Sequence, residues 1–144
     1  MKPFRSSLLS LFLPIALASV LAGPACDSRS REIKSRLSPK EAALYDRGRQ
    51  LSTECWTCHD LYEKNTKVGP HLVGVFGREV GSVPGFPYSE GFARSQLVWD
   101  RRILGAFLSN VPGFIPGTNM VARSVSSPPE LQALVFYLEH ATRP

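Results

Sequence analysis

Cys55-Trp56-Thr57-Cys58-His59 constrains this chain more than any other five residues, because the pattern C-x-x-C-H commits two thiols and an imidazole to a single partner. Two cysteines three positions apart can form thioethers with the two vinyl groups on one edge of a porphyrin, and the adjoining imidazole then meets the iron from one face. The motif therefore predicts a covalently attached haem c. A fold organised by such a group must line a porphyrin-sized space rather than fill its own centre.

Two other chemistries use the same residue types. A closed zinc site needs four ligands, and beyond the motif the chain offers only Cys26, His71 and His140, with no second ligand pair. A thioredoxin-like CxxC sits between a strand and a helix, whereas the residues before Cys55 read as a long helix, and that reading leaves His59 without a role.

Lys2 and Arg5, followed by an apolar run from Leu8 to Ala22 and then small residues, read as a secretory leader over residues 1–25. The run is short and broken by Pro14, which argues against a permanent membrane span. Cys26 has two readings of equal standing. Leu21-Ala22-Gly23-Pro24-Ala25-Cys26 resembles a bacterial lipobox, which would make Cys26 a lipidated mature N-terminus and a membrane tether, although Gly23 and Pro24 depart from that pattern. Ordinary cleavage after Ala22 or Ala25 would instead leave a free thiol. Residues 26–37 are expected to form a polar, basic, flexible tether.

Loss of Lys2 and Arg5 with the leader takes the formal charge from +5 to +3, and the segment from Asp27 to Lys40 carries all of that remainder. From Glu41 onward ten basic and ten acidic residues cancel, so nucleic-acid binding is excluded.

Residues 38–144 are then one small domain, marginal without an added apolar centre. Ser38-Pro39-Lys40-Glu41 is a capping box, predicting a helix that runs toward Cys55 with Leu44, Gly48, Leu51 and Cys55 on one face. Ser127-Pro128-Pro129-Glu130 repeats the signal, and Leu131, Leu134, Val135 and Leu138 follow at helical spacing. Gly48, costly within a helix, makes sense where the C-terminal helix crosses it closely. Asp100 is expected to cap a third helix from Arg101 to Ser109. Gly69-Pro70 and the glycines from Gly74 to Gly85 read as loops, and Pro112 to Gly117 is expected to exclude helix on the way to Met120. The fold class is all-α, with N- and C-terminal helices crossing over a haem-centred core.

Iron held by His59 needs a ligand on its other face if it is to shuttle electrons, and a thioether raises its potential. Met1 belongs to the leader, which leaves Met120, 61 residues beyond the imidazole at the end of a Pro/Gly-stiffened loop.

From Ser38 to Thr142 the chain resembles class I cytochromes c, particularly the mitochondrial and bacterial cytochrome c2-like branch. The resemblance rests on Cys55-Trp-Thr-Cys-His59, Val68-Gly-Pro-His-Leu-Val-Gly-Val-Phe-Gly-Arg78, Pro84-Gly-Phe-Pro-Tyr88, Trp99, Ile115-Pro-Gly-Thr-Asn-Met120 and Tyr137-Leu-Glu-His-Ala-Thr142. It implies that Cys55 and Cys58 bond the haem and that His59 and Met120 ligate its iron. It further implies that the Pro70 carbonyl accepts from the proximal imidazole, that Arg78, Tyr88 and Trp99 hold the inner propionate, and that Thr118 contacts the other. An Arg and two donors converging on a buried carboxylate offset its desolvation.

The departures from that branch bear on function. Phe107 replaces a tyrosine that donates to the methionine sulfur, and Ala122 replaces a phenylalanine that shields the haem edge. Positions that carry lysines around that edge are here Glu54, Pro112, Gly113 and Asn119, which argues against lysine-ring docking onto an acidic partner. The expected protein is an exported, periplasmic, monomeric carrier of single electrons between a redox donor and acceptor, with no catalytic constellation. Two alternatives are carried forward: a haem-based peroxidase or gas sensor with a labile Met120, and a dedicated subunit of an exported oxidoreductase.

Overall fold

Residues 25–144 are described by a computed structural model, and their helices are α1 (Ala25–Lys34), α2 (Pro39–Leu51), α3 (Thr53–Cys58), α4 (Glu90–Ala93), α5 (Arg101–Ser109), α6 (Val111–Phe114) and α7 (Pro128–Ala141). Among the described residues the only ladder pairing is one isolated antiparallel bridge, Glu79 with Val98, so the all-α expectation holds. No described helix is long and apolar enough to cross a membrane. The proposed leader, apart from Ala25, and the side chain of Cys26 lie outside the described residues.

Ser38 starts α2 as its sequence requires. Its side chain accepts from the Glu41 N–H while the Glu41 carboxylate accepts from the Ser38 N–H at 2.9 Å, so two otherwise orphaned donors are satisfied reciprocally. The helix does not run unbroken to Cys55. Ser52, fully buried, ends α2 and donates its hydroxyl to the Arg49 carbonyl at 2.8 Å, and α3 begins at the next residue.

The second capping box does not form. Pro128 still opens α7, but Ser127 makes no side-chain cap, and the Glu130 carboxylate that would form the reciprocal half of the box pairs instead with Arg47 of α2. Asp100 does cap α5, accepting from the Ile103 N–H at 2.6 Å. The segment expected to exclude helix makes the single turn α6, since Pro112 falls in its first turn, where a proline lacks only a donor that has no partner anyway.

The core lies where α2 and α5 pack on α7. Tyr45 and Tyr137 meet there with ring centroids 5.0 Å apart, and Leu104, Leu108, Leu134 and Leu138 close around them. Full burial of each such leucine contributes about 1.5–3 kcal/mol.

Residues 26–37 are not the flexible tether that their polarity suggests. α1 docks on the domain, with Ile33 and Leu37 against the core. Arg29 Nη2 donates to the carbonyls of Ala141 at 3.2 Å and Arg143 at 2.6 Å, and its guanidinium carbon stands 4.8 Å above the centre of the Tyr62 ring. Lys34 Nζ pairs with Asp46 at 2.7 Å. A cation at the C-terminal end of α7 meets carbonyls that have no helical partner, and that supplies what composition hid.

Candidate haem site

α3 is little more than a mount for three side chains. Cys55 and Cys58 fall on this one short helix, both as free, half-buried thiols, and His59 caps its end. Burial pushes the Cys55 thiol up to about 11, so the free sulfur stays neutral at this position. Among the described residues no group of three or more His, Cys, Asp and Glu gathers to hold a bare metal ion.

His59 is almost completely buried, and its Nδ1 lies 2.6 Å from the Pro70 carbonyl oxygen. That carbonyl can only accept, so Nδ1 carries the proton and Nε2 keeps a free lone pair. Burial pulls the imidazole below its ordinary pKa, Pro70 acts in the opposite sense, and the charge of Lys67 adds to the lowering. Gly69 makes the approach feasible, because a Cβ there would overlap the imidazole. Sequence reading placed Gly69 only in a loop. It also passed over Lys67, whose ammonium donates to the carbonyls of Trp56 and His59 at 3.2 Å each and so closes the end of α3.

Arg78, Tyr88 and Trp99 come together as one cluster. The bridge between Glu79 and Val98 sets Arg78 beside Trp99, whose N–H donates to the Arg78 carbonyl at 2.9 Å. Phe92 stacks on Tyr88 at 5.9 Å and leans on Trp99 at 6.4 Å. The Arg78 guanidinium donates to the carbonyls of His71 at 2.9 Å and Val73 at 3.0 Å, which fixes the position of its charge. The Tyr88 hydroxyl accepts from the Val83 N–H at 3.3 Å and keeps its own proton to give.

Thr118 and Met120 share the loop between α6 and α7. Thr118 Oγ1 accepts from the Met120 N–H at 3.1 Å, so its hydroxyl proton is also free to donate. Met120 and Ala122 are half-buried against the core, while Val121 between them is 98% exposed. The loop is pinned at both ends: Gly91 of α4 lies against the Pro116 carbonyl too closely for any Cβ, and the Val125 N–H donates to Leu108 at 2.9 Å. Arg123 pairs with Glu54 at 3.1 Å, which ties the methionine loop to α3 and neutralises a rim charge.

An all-α chain with two half-buried thiols on one short helix, an oriented imidazole and a loop-borne thioether against the core is the architecture of a protein with covalently bound haem c. No protein-family model matches the chain. It is 38% identical over 85 residues to cytochrome c2 iso-2 of Magnetospirillum fulvum, covering 59% of this chain and 88% of that protein. Cytochrome c type-1 of Ascaris suum is 38% identical over 96 residues, covering 66% and 86%. Cytochrome c 2.1 of Caenorhabditis elegans is 36% identical over 104 residues, covering 72% and 94%. The chain belongs to the class I cytochromes c, with one haem. It is a haem electron carrier acting between redox partners, and not an enzyme.

Proposed function

We propose that the chain is an exported carrier whose iron is held by His59 and Met120, with Cys55 and Cys58 bonding the porphyrin edge. The observation that carries this reading is the His59–Pro70 contact of 2.6 Å, which leaves Nε2 as the free ligand atom. Haem c supplies a one-electron couple, and the side chains set its environment. Arg78, Tyr88 and Trp99 would hold one propionate, Thr118 would donate to the other, and Met120 would supply the iron's second protein ligand. Residues 1–25 serve as the export leader, and residues 38–144 form the haem domain, with α1 mounted on it.

The decisive measurement is the visible spectrum of the ferric protein, alone and as Met120→Ala. A methionine-to-iron charge-transfer band that vanishes in the variant supports His/Met ligation. Its absence from the wild type, or ready binding of CO by the reduced protein, supports a labile ligand and a sensor or peroxidase role instead. Intact mass of the exported protein separates a lipidated Cys26, hundreds of daltons heavier, from a free thiol at the same residue.

A further inference from the structure

The turn at residues 67–70 wraps the end of α3 and gives His59 more than one kind of support. Pro70 supplies the carbonyl that accepts from Nδ1 at 2.6 Å, and Gly69 leaves the space that the imidazole fills. The Gly69 N–H donates to the Cys58 carbonyl at 2.8 Å and the Lys67 N–H to the Gly69 carbonyl at 3.1 Å, so the turn is locked onto α3. From it the Lys67 ammonium reaches the carbonyls of Trp56 and His59 at 3.2 Å each. These carbonyls belong to the negative end of a short helix, and the cation on them replaces partial negative charge beside His59 with a full positive one.

We propose that Lys67 sets the potential of the haem: its ammonium, fixed against the carbonyls of Trp56 and His59, disfavours the extra positive charge of ferric iron and so holds the couple toward the ferrous state. This role rests on the proposed ligation of the iron by His59. Haem attachment, iron ligation and propionate binding make no other use of the residue.

Placement is what distinguishes this charge. Lys64, three positions earlier and equally exposed, makes no side-chain hydrogen bond or ion pair among the described residues. After burial and the Pro70 bond, the charge of Lys67 is what bears on the His59 ring, whereas that of Lys64 bears on His71, behind burial and Arg78. A cation that opposes a proton on an imidazole opposes, by the same field, added positive charge on a metal that the imidazole ligates. The competing account makes Lys67 a plain helix cap. A cap needs a donor and not a charge, so the fold would feel its loss and the potential would not.

The test is a redox titration of the holoprotein at one ionic strength, followed by the haem spectrum, for the wild type, Lys67→Gln, Lys67→Met, Lys67→Arg and Lys64→Gln. Loss of the charge in Lys67→Gln and Lys67→Met should weaken reduction about threefold, a fall of about 28 mV at about 59 mV per tenfold change. Lys67→Arg should stay nearer the wild type than Lys67→Gln does, and Lys64→Gln should move the potential by less than half as much. A wild-type potential in both neutral variants, with only the thermal midpoint lowered, would make Lys67 a cap and overturn the proposal. An equal fall in Lys64→Gln would overturn it too, because net charge and not placement would then be acting. Lys67→Gln keeps a donor for the cap and decides alone if Lys67→Met does not fold. The methionine-to-iron band, recorded first, separates the two readings: its absence from the wild type faults the ligation, while unmoved potentials in a protein that shows it fault the role of Lys67.

Discussion

Gly48 of α2 lies so close under α7 that a Cβ at this position would overlap the carbonyl oxygen of Ala133 and crowd the Cβ of Tyr137. The overlapping atom is backbone and cannot rotate aside, so the helices would have to part. Gly48→Ala gains about 1 kcal/mol of helix propensity, but overpacking at a fixed backbone costs about 1–3 kcal/mol or more. The net result should be destabilisation, read as a lower thermal midpoint of the holoprotein. A raised midpoint would mean that the crossing is looser than this contact.

Arg29 joins α1 to the end of α7 through two carbonyls and the Tyr62 ring. Arg29→Ala should cost about 1–2 kcal/mol, in the range of exposed charged hydrogen bonds with a helix-end contribution. Proteolysis should then cut first between residues 34 and 38. Resistance equal to that of the wild type would show that Ile33 and Leu37 hold the helix unaided.

Phe107, 3% exposed, sits among Phe92, Trp99 and Phe114 with centroids 5.5–6.3 Å away. Aromatic rings surround the position where relatives of the mitochondrial branch have a hydroxyl. Phe107→Tyr should shift the midpoint potential by tens of millivolts, about 59 mV for each tenfold change in the redox equilibrium. An unchanged potential removes the residue from the tuning of the iron.

No lysine follows Lys67 in the chain, and Lys67 is tied to the carbonyls at the end of α3. The loop that carries Met120 therefore holds no amine that could displace the thioether when deprotonated. The methionine-to-iron band should persist in an alkaline titration to the point where the protein unfolds. Its early loss with the fold intact would count against this.

His71 lies below the ordinary imidazole pKa, first through burial and then through the charges of Arg78 and Lys64, with Asp60 and the Val73 backbone opposing. The unfolded chain therefore takes up this proton at higher pH than the folded one. Stability associated with His71 is intact above the ordinary value of about 6.5 and declines as pH falls through that value toward the lowered folded pKa. Denaturant midpoints across pH 7 to 5 should fall less steeply for His71→Asn than for the wild type.

Much of the fold was legible because its signals are local. The Ser38 box, the Asp100 cap and the apolar spacing of the last helix each act within one or two turns, and all three appear as read. Where a local signal met a distant competitor, reading failed. Ser127-Pro-Pro-Glu130 has the same pattern as Ser38-Pro-Lys-Glu41, yet Arg47, far away in sequence, claims the Glu130 carboxylate. The segment 26–37 looked like a tether because its polarity outweighs its two apolar residues, and its docking depends on carbonyls at the far end of the chain.

The site divides the same way. The sequence by itself determined the haem and its attachment, since C-x-x-C-H places all three reacting groups within five residues and needs no fold to be recognised. Family resemblance extended this to a set of residues and roles. Only the tertiary structure decided that Gly69 makes room for the imidazole, that one bridge seats Arg78 beside Trp99, and that Arg123 and Glu54 bind the methionine loop to α3. Covalent chemistry follows from neighbours along the chain, while orientation and paired charge depend on neighbours across space.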